Sequence, residues 1–391
     1  MPSVKSFETD MRRARRKKRA KRAAKNISFV LGVIIIFGLV YLSRSAWIDF
    51  FDGILDRHQA TVQNDGLLAG GNYPIDISKK THTKIGSISK NWTLFADTTF
   101  YVYDSSGDII YSEQAPYSNP IVCEAGKRAL VYDQGGYSFT VCGPRDKIYS
   151  KRLSNQILLG AVGSDGNVAI VTADEKYVSY LTIYDKGGSE IYHWADGTMI
   201  TAVALSSNGK SCLVSCSYAR GGSYKSVVTG INFNSTEEYM QTVPLETLGF
   251  SVSYCEGGFW LLGRDKLYRL DSDGGILSSL EYEFELSDFD LGEKMAALVF
   301  ETTEGNSSAV TIVPAQDSAS SSASVSGSIS ECKVSDKAVY ILTAAAVNAY
   351  DLSGNLLATA PLSTSYRSMA VVGDEIFLLG YHSVEKIDFS I

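Results

Sequence analysis

The residues of this chain that are best suited to chemistry are few and scattered. Four histidines, His58, His82, His193 and His382, lie far apart. None forms the H-E-x-x-H or H-x-x-x-H pair that would set two imidazoles on one helix face for zinc. The stretch "LDSDGGILSSLEY" starts like a calcium loop, but Gly275 stands at its fifth position and Tyr282 at its twelfth, where a bidentate glutamate is required. No G-x-S-x-G elbow is present to raise a serine nucleophile, and "GGNYPID" is followed by no helix whose N-terminus would hold a phosphate. One acidic run stands out, "EYEFELSDFD" at 281–290. Read as an extended strand, it puts Glu281, Glu283 and Glu285 on one face about 7 Å apart, where like charges repel and would recruit a cation. These three are the candidate metal ligands, and a solvated acidic strand face is the plainer reading. No catalytic residue and no cofactor follow from the motifs.

Six cysteines, Cys123, Cys142, Cys212, Cys216, Cys255 and Cys332, are too sparse for a disulfide framework. "CLVSC" sets Cys212 and Cys216 four apart on one face of a straight strand, too distant to bridge. Buried free thiols are expected, with Cys123 and Cys142 as the pair most worth testing for a bridge.

The elements that must position these residues are announced by a repeated phrase. "VYDSSGDII" at 102–110 returns as "IYDKGGSEI" from Ile183, "RLDSDGGIL" from Arg269 and "AYDLSGNLL" from Ala349. Apolar and polar residues alternate on either side, the period of a pleated strand. Asp-x-x-Gly makes the turn between, the aspartate bonding backbone N–H groups and the glycine accepting a positive φ. The turn residues are Asp104 and Gly107, Asp185 and Gly188, Asp271 and Gly274, and Asp351 and Gly354. A second family of turns alternates with the first: "GSDGN" at 163–167, "SSNGK" at 206–210, "CEGGF" at 255–259, "VSDKA" at 334–338 and "VGDEI" at 372–376. Two hairpin turns per unit imply four strands per unit, and units of about 40 to 45 residues are the mark of a β-propeller.

The strand leading into the phrase ends near Asp104, Gly143, Asp185, Phe233, Asp271, Val313, Asp351 and Asp388. This predicts an all-β propeller of eight four-stranded blades, or seven if the unit around 307–325, with its Ser-rich "DSASSSASVSGS", is not a blade. The last unit is one strand short, and "NYPIDI" at 72–77 is placed to supply it and close the ring. The phrase is then the hairpin between the third and fourth strands of a blade.

The net charge of −7 hides a split: residues 1–26 carry +9 and the remainder −16. Ten basic residues crowd into 12–25, among them Arg12, Arg13, Arg15, Arg16, Lys17, Lys18 and Arg19, and an apolar run from Ile27 to Leu42 follows. As a helix that run spans roughly 24 Å. Arg44 and the aromatic residues after it extend it toward the interface, and a basic flank before an apolar segment keeps the N-terminus inside. The expected organisation is a basic cytoplasmic tail (1–26), a transmembrane signal anchor (27–43), a juxtamembrane stalk (44–71) and an extracytoplasmic propeller (72–391) at the plasma membrane. No nucleic-acid partner is expected, because topology explains the tail.

The "SSNGK" and "YDxxG" turns resemble those of bacterial quinoprotein-like and WD40-like propellers. With the basic tail and anchor, the layout resembles an uncharacterised, domain-of-unknown-function family of membrane-anchored propeller proteins in Gram-positive anaerobes. That resemblance implies a propeller and brings no catalytic residues. Pyrroloquinoline quinone enzymes of similar fold carry Trp in most blades, and four Trp here do not match that pattern. The three sequons, at Asn91, Asn234 and Asn306, carry no meaning in a bacterial protein. The leading expectation is a non-enzymatic scaffold that recognises another cell-envelope protein. The alternatives are a cell-wall glycan or peptidoglycan binder using exposed Tyr, of which the chain has 23, and a hydrolase or lyase with an axial site that could include His193 and His382.

Overall fold

A computed structural model describes residues 72–301, 307–316 and 320–389. The basic tail, the apolar run and the stalk lie outside these residues. Among the described residues every regular element is a strand, and no helix is long and apolar enough to cross a membrane. The strands form eight four-stranded antiparallel sheets, seven of them consecutive meanders. The eighth joins the ends of the described chain: Ser368–Val372, Glu375–Leu379 and Ser383–Asp388 are completed by Ile75–Asp76, with Ile75 opposite Val384 and Asp76 opposite Ser383. The expected closure by 72–77 is therefore present, reduced to two paired residues. Around it Trp92 stacks on Tyr103 at 4.1 Å, packs against Phe377 at 5.3 Å and donates its indole N–H to the Tyr73 hydroxyl at 2.8 Å.

Alternation along the strands explains why the sheets stack. In Arg128–Asp133, the second strand of blade 2, Ala129 and Val131 pack toward blade 1, whereas Leu130 and Tyr132 pack toward blade 3. Such a strand is buried on both sides and reads as a nearly continuous apolar run. Eight clusters of buried apolar residues, one for each pair of neighbouring blades, make up the core. The Ser-rich stretch supplies a genuine fourth strand, Ser321–Ser326, with Ala323 and Val325 turned into the core between blades 6 and 7.

The Asp-x-x-Gly turns sit between third and fourth strands. In each, one aspartate oxygen accepts two backbone N–H groups: Asp185 from Gly187 (2.9 Å) and Ser189 (2.8 Å), and Asp351 from Ser353 and Asn355 (2.8 Å each). Asp104 and Asp271 do the same. The glycines have φ between 78° and 90°. They also nestle against the fourth strand of the preceding blade, so that a Cβ on Gly188 would lie 2.9 Å from the Tyr149 ring. The phrase recurs in blades 1, 3, 5 and 7, so the sequence repeat spans two blades.

Gly188 and Gly135 both hold positive φ, but nothing lies within 4 Å of a Cβ built on Gly135. Gly135→Ala is expected to lower stability by about 1 kcal/mol through backbone strain, and Gly188→Ala by about 2 kcal/mol through strain plus displacement of Tyr149. Urea denaturation of the two variants checks the difference; equal losses would show that packing against the neighbouring blade contributes nothing.

Candidate functional site

The first strand of each blade is paired on one side only, by its second strand, and its other backbone edge faces the axis. Carboxylates from neighbouring blades satisfy part of that edge. Asp288 and Asp290, two apart on Leu286–Leu291 of blade 6, accept the N–H groups of Cys332 and Val334 on Ile329–Val334 of blade 7, both at 2.7 Å. Glu331 of blade 7 accepts the N–H of Met369 (2.5 Å) and the hydroxyl of Ser368 (2.8 Å) in blade 8. Glu124, on Pro120–Ala125 of blade 2, reaches back to blade 1, accepting the N–H of Ser87 (2.8 Å) and the hydroxyl of Thr93. A Cβ on Gly86 would fall on the Glu124 carboxylate, so only glycine permits this approach.

Lys333 provides the counter-charge, its Nζ lying 2.9 Å from Glu331 Oε1. Burial opposes its charge, yet Glu331, with Asp290 and Asp288 beyond it, raises its pKa above the usual lysine range. Burial raises the Asp290 carboxyl, against the Val334 hydrogen bond and the Lys333 charge. Burial pushes Glu124 up to about 7, against its hydrogen bonds from Thr93 and Ser87 and the Lys333 charge from across the axis. These axial groups are tied into bonds between blades. Beside the axis, at the end where first strands turn into second strands, lies a cavity of about 370 Å³. It is bounded by five consecutive blades and lined by small side chains such as Ala125, Val162, Leu205 and Cys255, with Tyr254 and a single carboxylate, Glu293. Burial pushes the Cys255 thiol up to about 11, which leaves it a poor nucleophile.

The residues singled out by sequence fall elsewhere. His82 and His382 are exposed in loops near the ring closure. His193 is on the fourth strand of blade 3, 3.4 Å from Glu190, and is not brought to His382; His58 lies outside the described residues. The Asp-x-x-Gly residues form turns at the rim of the ring. Glu281, Glu283 and Glu285 do not share a strand face: Ile276–Glu281 ends at the first of them, a bend follows, and the next strand begins only at Leu286. Glu281 pairs with Lys266 at 2.5 Å, and among the described residues no three metal-ligating side chains converge. The proposed Cys123–Cys142 bridge is also absent. Both thiols are free, because Cys123 packs toward blade 3 and Cys142 toward blade 1, on opposite sides of the sheet. Cys212 and Cys216 do share one face, in the core between blades 3 and 4. Arg12, Arg13, Arg15, Arg16, Lys17, Lys18, Arg19, Ile27 and Leu42 lie outside the described residues.

The meander places both hairpin families at one end of the ring, the turn face. The connections from second to third strand and from blade to blade lie at the other, the loop face. On that face Val178, Met199, Tyr224, Val243, Phe250 and Phe284 are exposed over blades 3 to 6. A long hairpin, Ser211–Arg220 with Ser223–Asn232, projects there and is tied to the next connection by paired bonds between Ser226 and Leu245 and by the Lys225–Glu246 ion pair. Most tyrosines, by contrast, are packed between blades, among them Tyr103, Tyr132, Tyr184, Tyr268 and Tyr340, and the exposed Tyr137, Tyr224, Tyr239 and Tyr381 belong to three different blades.

Residues 71–389 match the model of a family of unknown function, DUF5711, and the chain belongs to that family. No curated protein matches it in sequence. Its fold is shared by solved propellers. BamB from Moraxella catarrhalis aligns with a TM-score of 0.53 and 12% identity over 78% of this chain and 96% of BamB. Sqt1 from Saccharomyces cerevisiae aligns with 0.59 and 10% identity over 82% of this chain and 100% of Sqt1. Chaetomium thermophilum Sqt1, solved bound to the N-terminus of the ribosomal protein L10, aligns with 0.57 and 12% identity over 81% and 98%. At such identities the likeness concerns the fold.

The Glu124 carboxyl binds its proton more tightly in the folded chain than in the unfolded one. Its contribution to stability is therefore complete below the ordinary carboxylate range and lost as pH rises through about 7. Stability is expected to fall by about 3 kcal/mol over that window on account of this group, and Glu124→Gln to flatten that part of a urea-denaturation profile against pH. An unchanged slope in the variant would assign the titration to another group.

Proposed function

We propose that this member of the family is a non-enzymatic binding scaffold, anchored in the plasma membrane by 27–43, whose extracytoplasmic propeller holds another cell-envelope protein on its loop face. The carrying observation is the contrast between the two polar and apolar sets. The axial carboxylates are occupied by backbone N–H groups and Lys333, whereas the loop face of blades 3 to 6 leaves six large apolar side chains in water. Other exposed apolar side chains, such as Ile109, Ile276 and Leu356, are spread over the fourth strands of separate blades, whereas these six share one face of a rigid ring and suit a protein partner. The Chaetomium Sqt1 complex supports this reading by analogy of fold, as a propeller that holds a polypeptide terminus. The scattered exposed tyrosines give glycan stacking no comparable support. The basic tail and apolar run of the sequence support the anchor and its orientation.

Two experiments test the reading. Removing residues 27–42 is expected to shift the protein from the membrane fraction to the soluble one, and protease added outside intact protoplasts is expected to remove the propeller; protection would reverse the orientation. Crosslinking in whole cells, followed by detergent extraction and mass spectrometry, is expected to recover one envelope protein in stoichiometric yield. Recovery of none would overturn the scaffold reading.

A further inference from the structure

One stretch that the fold leaves without a task is the acidic bend after Glu281. Glu283, Phe284 and Glu285 are all exposed there, in the connection from blade 5 to blade 6 on the loop face. The backbone N–H of Glu301, the last residue of the strand Met295–Glu301 in blade 6, bonds the carbonyl of Glu285, which brings a third exposed glutamate beside the bend. Two nearby lysines are already paired, Lys266 with Glu281 and Lys225 with Glu246. Among the described residues no ion pair engages Glu283, Glu285 or Glu301, and Arg264 is the exposed cation of this sector without an ionic partner. Apolar side chains are exposed on the same face. Phe250, at the start of Gly249–Cys255, is 40% exposed and held edge-on to Phe289 at 5.8 Å; Phe284 is 40% exposed and Val243 63%.

We propose that this sector, the connection from blade 5 to blade 6 with Phe250 on the loop face, is where the partner docks, and that it takes a cationic polypeptide segment whose lysines or arginines alternate with apolar side chains. The proposal rests on the preceding reading that the partner is a protein. Charge complementarity selects the occupant. Unpaired glutamates on both sides of Phe284 would repel a nucleic acid or an anionic lipid surface, and they accept ammonium or guanidinium groups. The carboxylates do not converge on a point, so a lone metal ion is a poor fit, whereas a chain with charges spaced along it reaches each in turn. Phe284, between two of the charges, and the exposed Phe250 are covered only if the segment also carries apolar groups, which restricts the occupant to a mixed sequence. Phe250 is fixed by its contact with Phe289 and loses little freedom on binding.

The test uses the full chain in detergent and three synthetic peptides of about a dozen residues: lysine alternating with leucine and phenylalanine, the same with glutamate for lysine, and the same with serine for the apolar residues. The lysine-apolar peptide is expected to bind, and the other two about tenfold more weakly or worse. Glu283→Lys with Glu285→Lys, and separately Phe250→Ser with Phe284→Ser, are each expected to weaken it about tenfold. An equal change of charge on the turn face, Asp273→Lys with Asp336→Lys, is expected to leave binding within about twofold. Equal weakening by the turn-face control, equal binding of the lysine-serine peptide, or no binding of any peptide would each overturn the proposal. In the cell crosslinking experiment, a partner recovered undiminished with both loop-face variants would remove this surface while the scaffold reading stood; no partner with the unaltered chain would remove the scaffold reading itself.

Discussion

The second strand of each blade is buried on both faces, and this sets the condition that governs the whole molecule. Val339 and Ile341 pack toward blade 6 while Tyr340 and Leu342, on the same strand, pack toward blade 8. A sheet of this kind cannot stop at water on either side, so each blade needs two neighbours. A linear stack would leave two raw faces at its ends. Closing the stack into a ring removes both, and the closing contact falls where the two ends of the described chain meet, with Ile77 and Trp92 of one end packed in the same cluster as Phe377 and Leu379 of the other. Two paired residues suffice at the strand itself because the buried side chains around it carry the closure.

The ring creates a second difficulty at its axis, where eight first strands each present an unpaired backbone edge. Burying unbonded N–H groups there would cost roughly 1–3 kcal/mol apiece. The chain answers with side chains in place of further backbone pairing: Asp288, Asp290 and Glu331 each reach into the following blade, and Glu124 reaches into the preceding one. Several carboxylates so near one another would repel, and Lys333 lies among them. The geometry makes these groups latches between blades. A residue engaged in that way is held in place by the neighbouring blade, which is why charged residues at the axis support a structural reading as readily as a catalytic one.

Much of the architecture was legible in the sequence because its determinants are local. The four Asp-x-x-Gly turns are written within five residues each, and the alternation beside them spans a single strand, so the blade and its repeat could be read directly. The sixth blade stayed open in the sequence, because the Ser-rich "DSASSSASVSGS" reads equally as a strand or a loop, and only the structure pairs Ser321–Ser326 as its fourth strand. The axial latches were not legible, since Asp288 and Cys332 are 44 residues apart and no periodicity links a carboxylate to the backbone N–H it will meet. A signal was nevertheless present: "VCEAG", "SDFDL" and "ECKVS" place charges at first-strand positions where the apolar pattern calls for none. The acidic run failed as a metal site for a related reason. Its alternation is genuine, but the strand ends at Glu281, and alternation places residues on one face only while the chain stays extended.

The two ends of the ring are under different constraints, and this bears on where recognition resides. At the turn face, hairpins of similar length must bring adjacent strands back in register, and in four blades the same aspartate bonds and positive-φ glycine achieve it, with the glycine pressed against the blade before. Little can change there without disturbing a neighbour. At the loop face the connections are free to differ. One pair of strands extends to ten residues each, one connection folds back on that hairpin through Ser226 and Leu245, and another leaves Phe284 in water between two glutamates. The repeat, which fixes the scaffold, and the departures from the repeat, which distinguish one blade from another, thus lie at opposite ends of the same strands. The proposed docking surface draws on those departures, because a partner that must recognise one orientation of a nearly symmetric ring needs blades that differ.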